Sequence, residues 1–429
     1  MNVIKKTIKQ GITLNYVFCD KFTTNNFTIH FFVPLTEEGA SCYSLLSRVL
    51  KKGCAAYPTQ EALNSRLEEL YSSSVSAGVS KLGECESFFI SVNMLDDRFT
   101  FDGISIEEGT MRMAFEILFR PLLVNGCFDE TIVSREKKAQ INRIKALINN
   151  KSSYAFNRCR EEMCAGEVYA LSVIGKEDVM EKIDSAMLYH YYLKLLNEAR
   201  VEIVYNGNKS IEDVLSGAHL FLEELRPRLS PELKTEIIPS KEKVRSFTER
   251  VAATQGNLVM GFRTGCGSDG REEAAFRLFE SIYGSSPVSK LFMNVRERLS
   301  LCYHCSTRRD VHKGVMYVVA GIENANLEIT KAEILAQLEE IRQGHVTENE
   351  MMYAKEALLD SLRSVEDDQD AMDTWCFHRL LRPSIDTPSV AAAQIKDLTV
   401  SDVVDVAQKI TLDLVYFLEG MTAKEGSHD

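Results

Sequence analysis

The sequence has no long apolar run. Its most hydrophobic stretches, such as Val315–Ile322, fall far short of the ~20 residues that cross a bilayer, so no membrane span is expected. Basic charge is in deficit: 50 Lys and Arg face 62 Asp and Glu, leaving a net charge of −12. Nucleic-acid backbones are bound by clustered cations that displace counterions, so no nucleic-acid partner is expected. The opening residues, Met1-Asn-Val-Ile-Lys-Lys, are basic without the apolar core of a signal peptide, and the expectation is a cytoplasmic protein. Eleven cysteines are scattered without regular spacing, as small buried side chains rather than a disulfide framework.

What is present is the composition of a folded globule, 45% hydrophobic and 26% charged, over 429 residues. Proline is scarce, and three of the nine (Pro227, Pro231, Pro239) fall within Arg226–Ser246, which reads as an interdomain linker. About 200 residues lie on either side, and the two sides repeat one order of elements. In the first, Phe27, Ile29, Phe31 and Val33 alternate along a strand over Asn26–Val33. Helices over Glu37–Lys51 and Gln60–Leu70 follow, the second started by Thr59. Strands over Ser74–Leu82 and Ser87–Leu95, several helices and a closing strand at Val201–Tyr205 complete this half. The second half has strands at Phe247–Ala253 and Asn257–Arg263, helices near Glu272–Tyr283 and Val288–Arg298, then strands Tyr303–Arg309 and Val315–Ile322. Long helices follow, one opened by the capping box Thr347-Glu-Asn-Glu350, before a last strand at Leu412–Leu418. Strands following strands predict an α+β protein of two tandem homologous domains, each a mostly antiparallel sheet packed with helices. The domains are placed at 1–225 and 247–429, joined by 226–246.

Several motifs are set aside. Gly265-Cys-Gly-Ser-Asp-Gly270 has dinucleotide-loop spacing, but a second helix follows where a parallel strand with a terminal acid is needed. Cys302-Tyr-His-Cys305 lies in a strand, where residues three apart face opposite ways, so it is not read as a metal or redox site. His345 and Glu348 have H-x-x-E spacing without a second histidine one turn away. None of His30, His190, His219, His304, His312, His345, His378 and His428 pairs with another at i+3 or i+4, so a helical two-histidine zinc site is absent.

Four blocks stand out in order: Val49-Leu-Lys-Lys-Gly-Cys54, Ser172-Val-Ile-Gly-Lys-Glu177 through Val201-Glu-Ile-Val-Tyr-Asn-Gly207, Ser289-Lys-Leu-Phe-Met-Asn-Val-Arg-Glu297 through Tyr303, and Gly344–Lys355. Together they resemble the pitrilysin/insulinase superfamily of zinc metallopeptidases, in particular its short-subunit group with mitochondrial processing peptidase, and the block ending at Tyr303 is the most specific. The resemblance runs over residues 1–420. Active members carry H-x-x-E-H, two zinc-binding histidines around a glutamate that activates water. Aligning Lys52-Gly53 with the family's Lys-Gly sets that motif on Ser44-Leu45-Leu46-Ser47-Arg48, which lacks all three groups. The third ligand falls on Arg143 and its supporting glutamate on Glu136, with an insertion around Asp96–Gly109 accounting for the longer gap. A guanidinium has no lone pair to give a metal.

The resemblance thus implies an inactive peptidase homologue with no catalytic residues, no metal and no cofactor. It also implies a partner: such members pair with a zinc-bearing homologous subunit as a heterodimer that encloses a peptide substrate. Arg296 and Tyr303 match the Arg/Tyr pair that active relatives turn toward the substrate backbone, and are the expected substrate-binding residues. The rival reading is a stand-alone peptide-binding or scaffold protein. From the residues themselves, Arg48 is expected to pair with Glu136, since a carboxylate stripped of its metal is costly to bury unpaired.

Overall fold

The computed structural model describes residues 1–421 apart from 102, 242, 268 and 269. His428 and two residues of the glycine-rich loop, Ser268 and Asp269, lie outside the described residues. The chain resolves into two units, each drawing on both halves of the sequence. The first comprises Met1–Lys145, Leu171–Lys234 and Val365–Thr387; the second comprises Ala146–Ala170, Thr235–Ser364 and Pro388–Asp429.

Eleven strands build the two sheets. In the first unit β1 (Val3–Lys9), β2 (Ile12–Phe18), β3 (Thr24–Pro34), β4 (Ser74–Leu82) and β5 (Cys85–Leu95) precede the short hairpin β6 (Leu123–Val124) and β7 (Cys127–Phe128) and the long β8 (Arg200–Gly207). The sheet order is β1-β2-β8-β3-β5-β4, antiparallel throughout except for the β2–β8 pair. The second unit has β9 (Arg245–Ala252), β10 (Gly256–Arg263), β11 (Cys302–Asp310), β12 (Val315–Ile322) and β13 (Thr411–Met421), ordered β11-β12-β10-β13-β9. Its one parallel pair is β9–β13. Laid over each other, β4-β5-β3-β8-β2 and β11-β12-β10-β13-β9 are the same path with the same parallel step, and β1 is an addition. The expected duplicated α+β layers are what the chain forms.

Alternation along β3 explains its burial on both sides. Phe27, Ile29, Phe31 and Val33 enter the core of the first unit beneath α1 (Glu37–Val49). The opposite face, Asn26, Thr28, His30 and Phe32, is covered by the returning segment 365–387. There Asn26 and Asn206 donate to Asp373 at 2.8 and 3.0 Å, and the His30 ring lies 5.2 Å from that of Phe377. The second sheet is covered in the matching way by α5 (Lys151–Met163), whose Ala155, Cys159 and Met163 pack on Val259, Tyr317 and Tyr416. Gly261 makes room at this contact, since a Cβ there would stand 2.5 Å from the Met163 sulfur and force that side chain to shift.

Local signals behave as their chemistry dictates. Thr36 and Thr59 each accept a backbone N–H three residues on, opening α1 and α2 (Gln60–Glu69). The Thr347 box closes in both directions, Glu350 N–H to the threonine hydroxyl at 3.2 Å and Thr347 N–H to the Glu350 carboxylate at 2.8 Å. No helix of the described residues is long and apolar enough to cross a membrane.

Candidate functional site

The positions that would hold zinc lie on α1, which is buried on nearly every side. Three serines, Ser41, Ser44 and Ser47, recur along it, and the hydroxyls of Ser41 and Ser47 are tied down within the helix. Ser47 donates to the Ser44 carbonyl at 2.8 Å, and Ser41 to the Glu37 carbonyl at 3.1 Å. Helices α3 (Ile106–Phe119) and α4 (Glu130–Lys145) follow in the chain, and α4 packs on α1. Two α4 side chains one turn apart meet the motif: Gln140 donates to the Ser44 hydroxyl at 2.9 Å, and Glu136 takes Arg48 at 3.0 Å.

The expected Arg48–Glu136 pair is therefore formed, and it is not alone. Lys52 approaches the other Glu136 oxygen at 3.4 Å and Arg135 at 3.3 Å. The carboxylate is only 5% exposed, so this near-burial is offset by three cations around one anion. Such a cluster does not fit zinc. Its remaining donors are a serine hydroxyl and an amide, and its net positive charge repels a divalent ion. Among the described residues no group of three or more His, Cys, Asp or Glu converges as a metal site elsewhere. Arg143, the aligned third-ligand position, is exposed on the following turn. Sequence reasoning missed Gln140 and Lys52. Gln140 could have been found, since it lies one helical turn beyond Glu136 and shares its face.

The second candidate pair sits at the start of β11. The segment Leu291–Arg298 is wound as a π-helix, and the Leu299 N–H reaches five residues back to the Asn294 carbonyl at 3.2 Å. Ser300 then takes a left-handed turn, φ 51°, and Leu301 N–H bonds the Val295 carbonyl at 3.0 Å. This fold-back brings Arg296 and Tyr303 to the border of one depression of about 430 Å³, shared with Glu297, Ser300, Leu301, Cys302, Glu323 and Asn326. The Arg296 guanidinium stacks over the Phe292 ring at 4.6 Å and approaches Glu297 at 3.6 Å, with its side chain 42% exposed. Tyr303 is 57% exposed, and it is the extra residue of a bulge: Cys302 faces Ile322 while His304 faces Gly321. The strand argument against the C-x-x-C fails at this bulge, because Cys302 and Cys305 both turn inward.

Residues 182–358 match the family described as Peptidase M16 inactive domain. Over that stretch the chain is similar to M16 peptidases of the inactive kind. It is 27% identical over 411 residues, 96% of either chain, to the "Probable inactive metalloprotease YmfF" of Bacillus subtilis (strain 168). A conserved protein of Enterococcus faecalis V583 shares the fold at TM-score 0.90 with 28% identity, over 98% of this chain and 99% of that one. The peptidase M16 inactive domain of Pseudomonas fluorescens overlays at TM-score 0.80 with 18% identity, covering 99% of both, which shows the fold. The M16-like assignment agrees with the resemblance to the pitrilysin/insulinase superfamily.

Proposed function

We propose that this M16-like chain is the non-catalytic member of a peptide-processing heterodimer, in which a zinc-bearing homologue performs hydrolysis and this chain helps hold the peptide. One contrast carries the reading: the zinc position is closed by the Glu136 cation cluster, while Arg296 and Tyr303 stand open beside one depression. Arg296 donates through a planar fork suited to peptide carbonyls, and the Tyr303 phenol adds a second donor. Among the described residues β11 is an edge strand, next to β12 in its sheet, and an edge is where an extended peptide can add a strand. The pairing subunit carries H-x-x-E-H, and the site of action follows the expectation of a cytoplasmic protein.

The test combines this chain with a homologue bearing H-x-x-E-H and follows co-elution and cleavage of a peptide library. A stable complex with activity above that of the homologue alone is expected. Arg296→Ala should lower kcat/KM of the complex by roughly 10- to 100-fold while leaving assembly intact. Equal activity with the variant overturns the role of Arg296. Absence of any complex favours a stand-alone peptide-binding protein.

A further inference from the structure

We propose that Cys302 and Cys305 are a peroxide-reactive dithiol, an oxidation site that closes a disulfide across the bulge at Tyr303. In an unbroken strand these two side chains would point apart. Here two steps along β11, Cys302 to His304, are matched by one step along β12, Ile322 to Gly321. The extra residue resets the alternation after Cys302. Tyr303 and His304 are exposed, whereas Cys302 and Cys305 are 9% and 5% exposed on the same face. Across the bulge, Cys302 pairs with Ile322 and Cys305 with Ala320, two residues apart on one face of β12, so the two thiols share that face.

The pair is asymmetric in a useful way. The influence of Cys305, opposed by burial and assisted by the Arg296 guanidinium, holds the Cys302 thiol below its ordinary value. The reciprocal influence of Cys302, together with burial, pushes the Cys305 thiol up. Cys302 is thus the nucleophile and Cys305 the proton-bearing resolver. Access matches these roles, since Cys302 borders the depression beside Arg296 and Cys305 does not. Six of the other thiols, Cys42, Cys54, Cys85, Cys159, Cys266 and Cys376, are pushed up by burial.

The oxidant is hydrogen peroxide. The Cys302 thiolate attacks a peroxide oxygen, the O–O bond breaks, and Cys302 becomes a sulfenic acid as hydroxide leaves and takes up a proton. The Cys305 sulfur then attacks the sulfenic sulfur, the S–O bond breaks, and water departs with the Cys305 proton. Two thiols lose two electrons in all, and one peroxide is reduced to two waters. Oxidation needs no peptide partner, so it stands apart from the processing pair.

The experiment uses the full reduced chain, treated with hydrogen peroxide near neutral pH, alkylated and mapped by mass spectrometry. The peptide holding both cysteines should lose two hydrogens, resist alkylation and recover with dithiothreitol. It should do so roughly tenfold faster than any of the other nine of the eleven cysteines is oxidised. In Cys305→Ser, dimedone should trap a sulfenic acid at Cys302; in Cys302→Ser, Cys305 should stay reduced. Full alkylation of both residues after peroxide, or a disulfide mapped to other positions, overturns the proposal. The wild-type map decides even where a variant fails to fold.

Discussion

Two glutamates of the first unit show how burial is tolerated or left as a liability. Glu136 is ringed by Arg48, Lys52 and Arg135, and removing its charge leaves cations facing each other across a half-closed space. Glu136→Gln should therefore lower stability by about 2–3 kcal/mol, somewhat under the figure for a sealed pair because Arg48 is partly solvated. A urea titration of the variant checks this, and an unchanged midpoint would remove the structural role given to the cluster. Glu86 is the opposite case. It is 0% exposed under α1, neither oxygen finds a hydrogen-bond partner among the described residues, and burial raises its pKa well above the usual carboxyl value. A folded-state pKa raised in this way favours folding below about pH 4.5, and that contribution fades as pH climbs through the raised value. Glu86→Met should stabilise the chain at neutral pH by about 1–3 kcal/mol and flatten its loss of stability toward alkaline pH. Denaturation midpoints from about pH 5 to about pH 9 read both effects. A destabilised variant would mean that the carboxyl has a partner it needs.

At the scale of elements, the two exchanged segments are held by different chemistry. The segment 146–170 is locked by charge: Glu167 meets fully buried Arg263 at 2.6 Å and fully buried Lys313 at 2.9 Å, and Arg263 continues to Asp413 at 2.8 Å. Burial alone would raise the Glu167 carboxyl, but the bonds from Arg263 and Lys313 outweigh it and bring the pKa down to about 2. The lock is thus complete above about pH 4.5 and weakens as pH falls toward 2. Glu167→Gln takes a carboxylate from two buried cations, which keep Asp413 and the Glu236 carbonyl as partners, and a loss of about 2–4 kcal/mol is expected, with faster amide exchange along α5. The segment 365–387 is held instead through amides on Asp373, whose pKa burial lifts to about 6 against the bonds from Asn206 and Asn26. Its grip should tighten as pH drops below 6, the reverse of the Glu167 lock, and exchange rates in the helix Gln369–Phe377 measure it. Exchange there that speeds up on acidification would contradict this sign.

Over the whole molecule, what could be read in advance divides by range. Period-two runs such as Phe27, Ile29, Phe31 and Val33 announced the strands, capping residues announced the helix starts, and the repeat announced the duplicated sheets. The Arg48–Glu136 pair was legible because the family resemblance aligns both positions with the lost metal site and a buried carboxylate needs a counter-charge. The bulge at Tyr303 was not, since one extra residue leaves no mark on composition or spacing. Nor was the exchange of segments: the small apolar stripe Ala155, Cys159, Met163 says that α5 covers a sheet, and nothing local says which one.

That exchange has a consequence for any attempt to divide the chain. A cut within 226–246 leaves the first piece without 365–387, which covers the polar face of β3, and burdens it with α5, whose apolar stripe belongs on β10 and β13. The second piece has a sheet with Val259, Tyr317 and Tyr416 uncovered and Arg263 without Glu167. Residues 1–225 and 247–429 expressed separately should therefore bind hydrophobic dyes, unfold without cooperativity and aggregate. Produced together, they should recover a soluble complex with a sharp thermal transition. If either piece alone gives a monomer with a cooperative melt, the returning segments are ornaments on self-sufficient cores rather than parts of them.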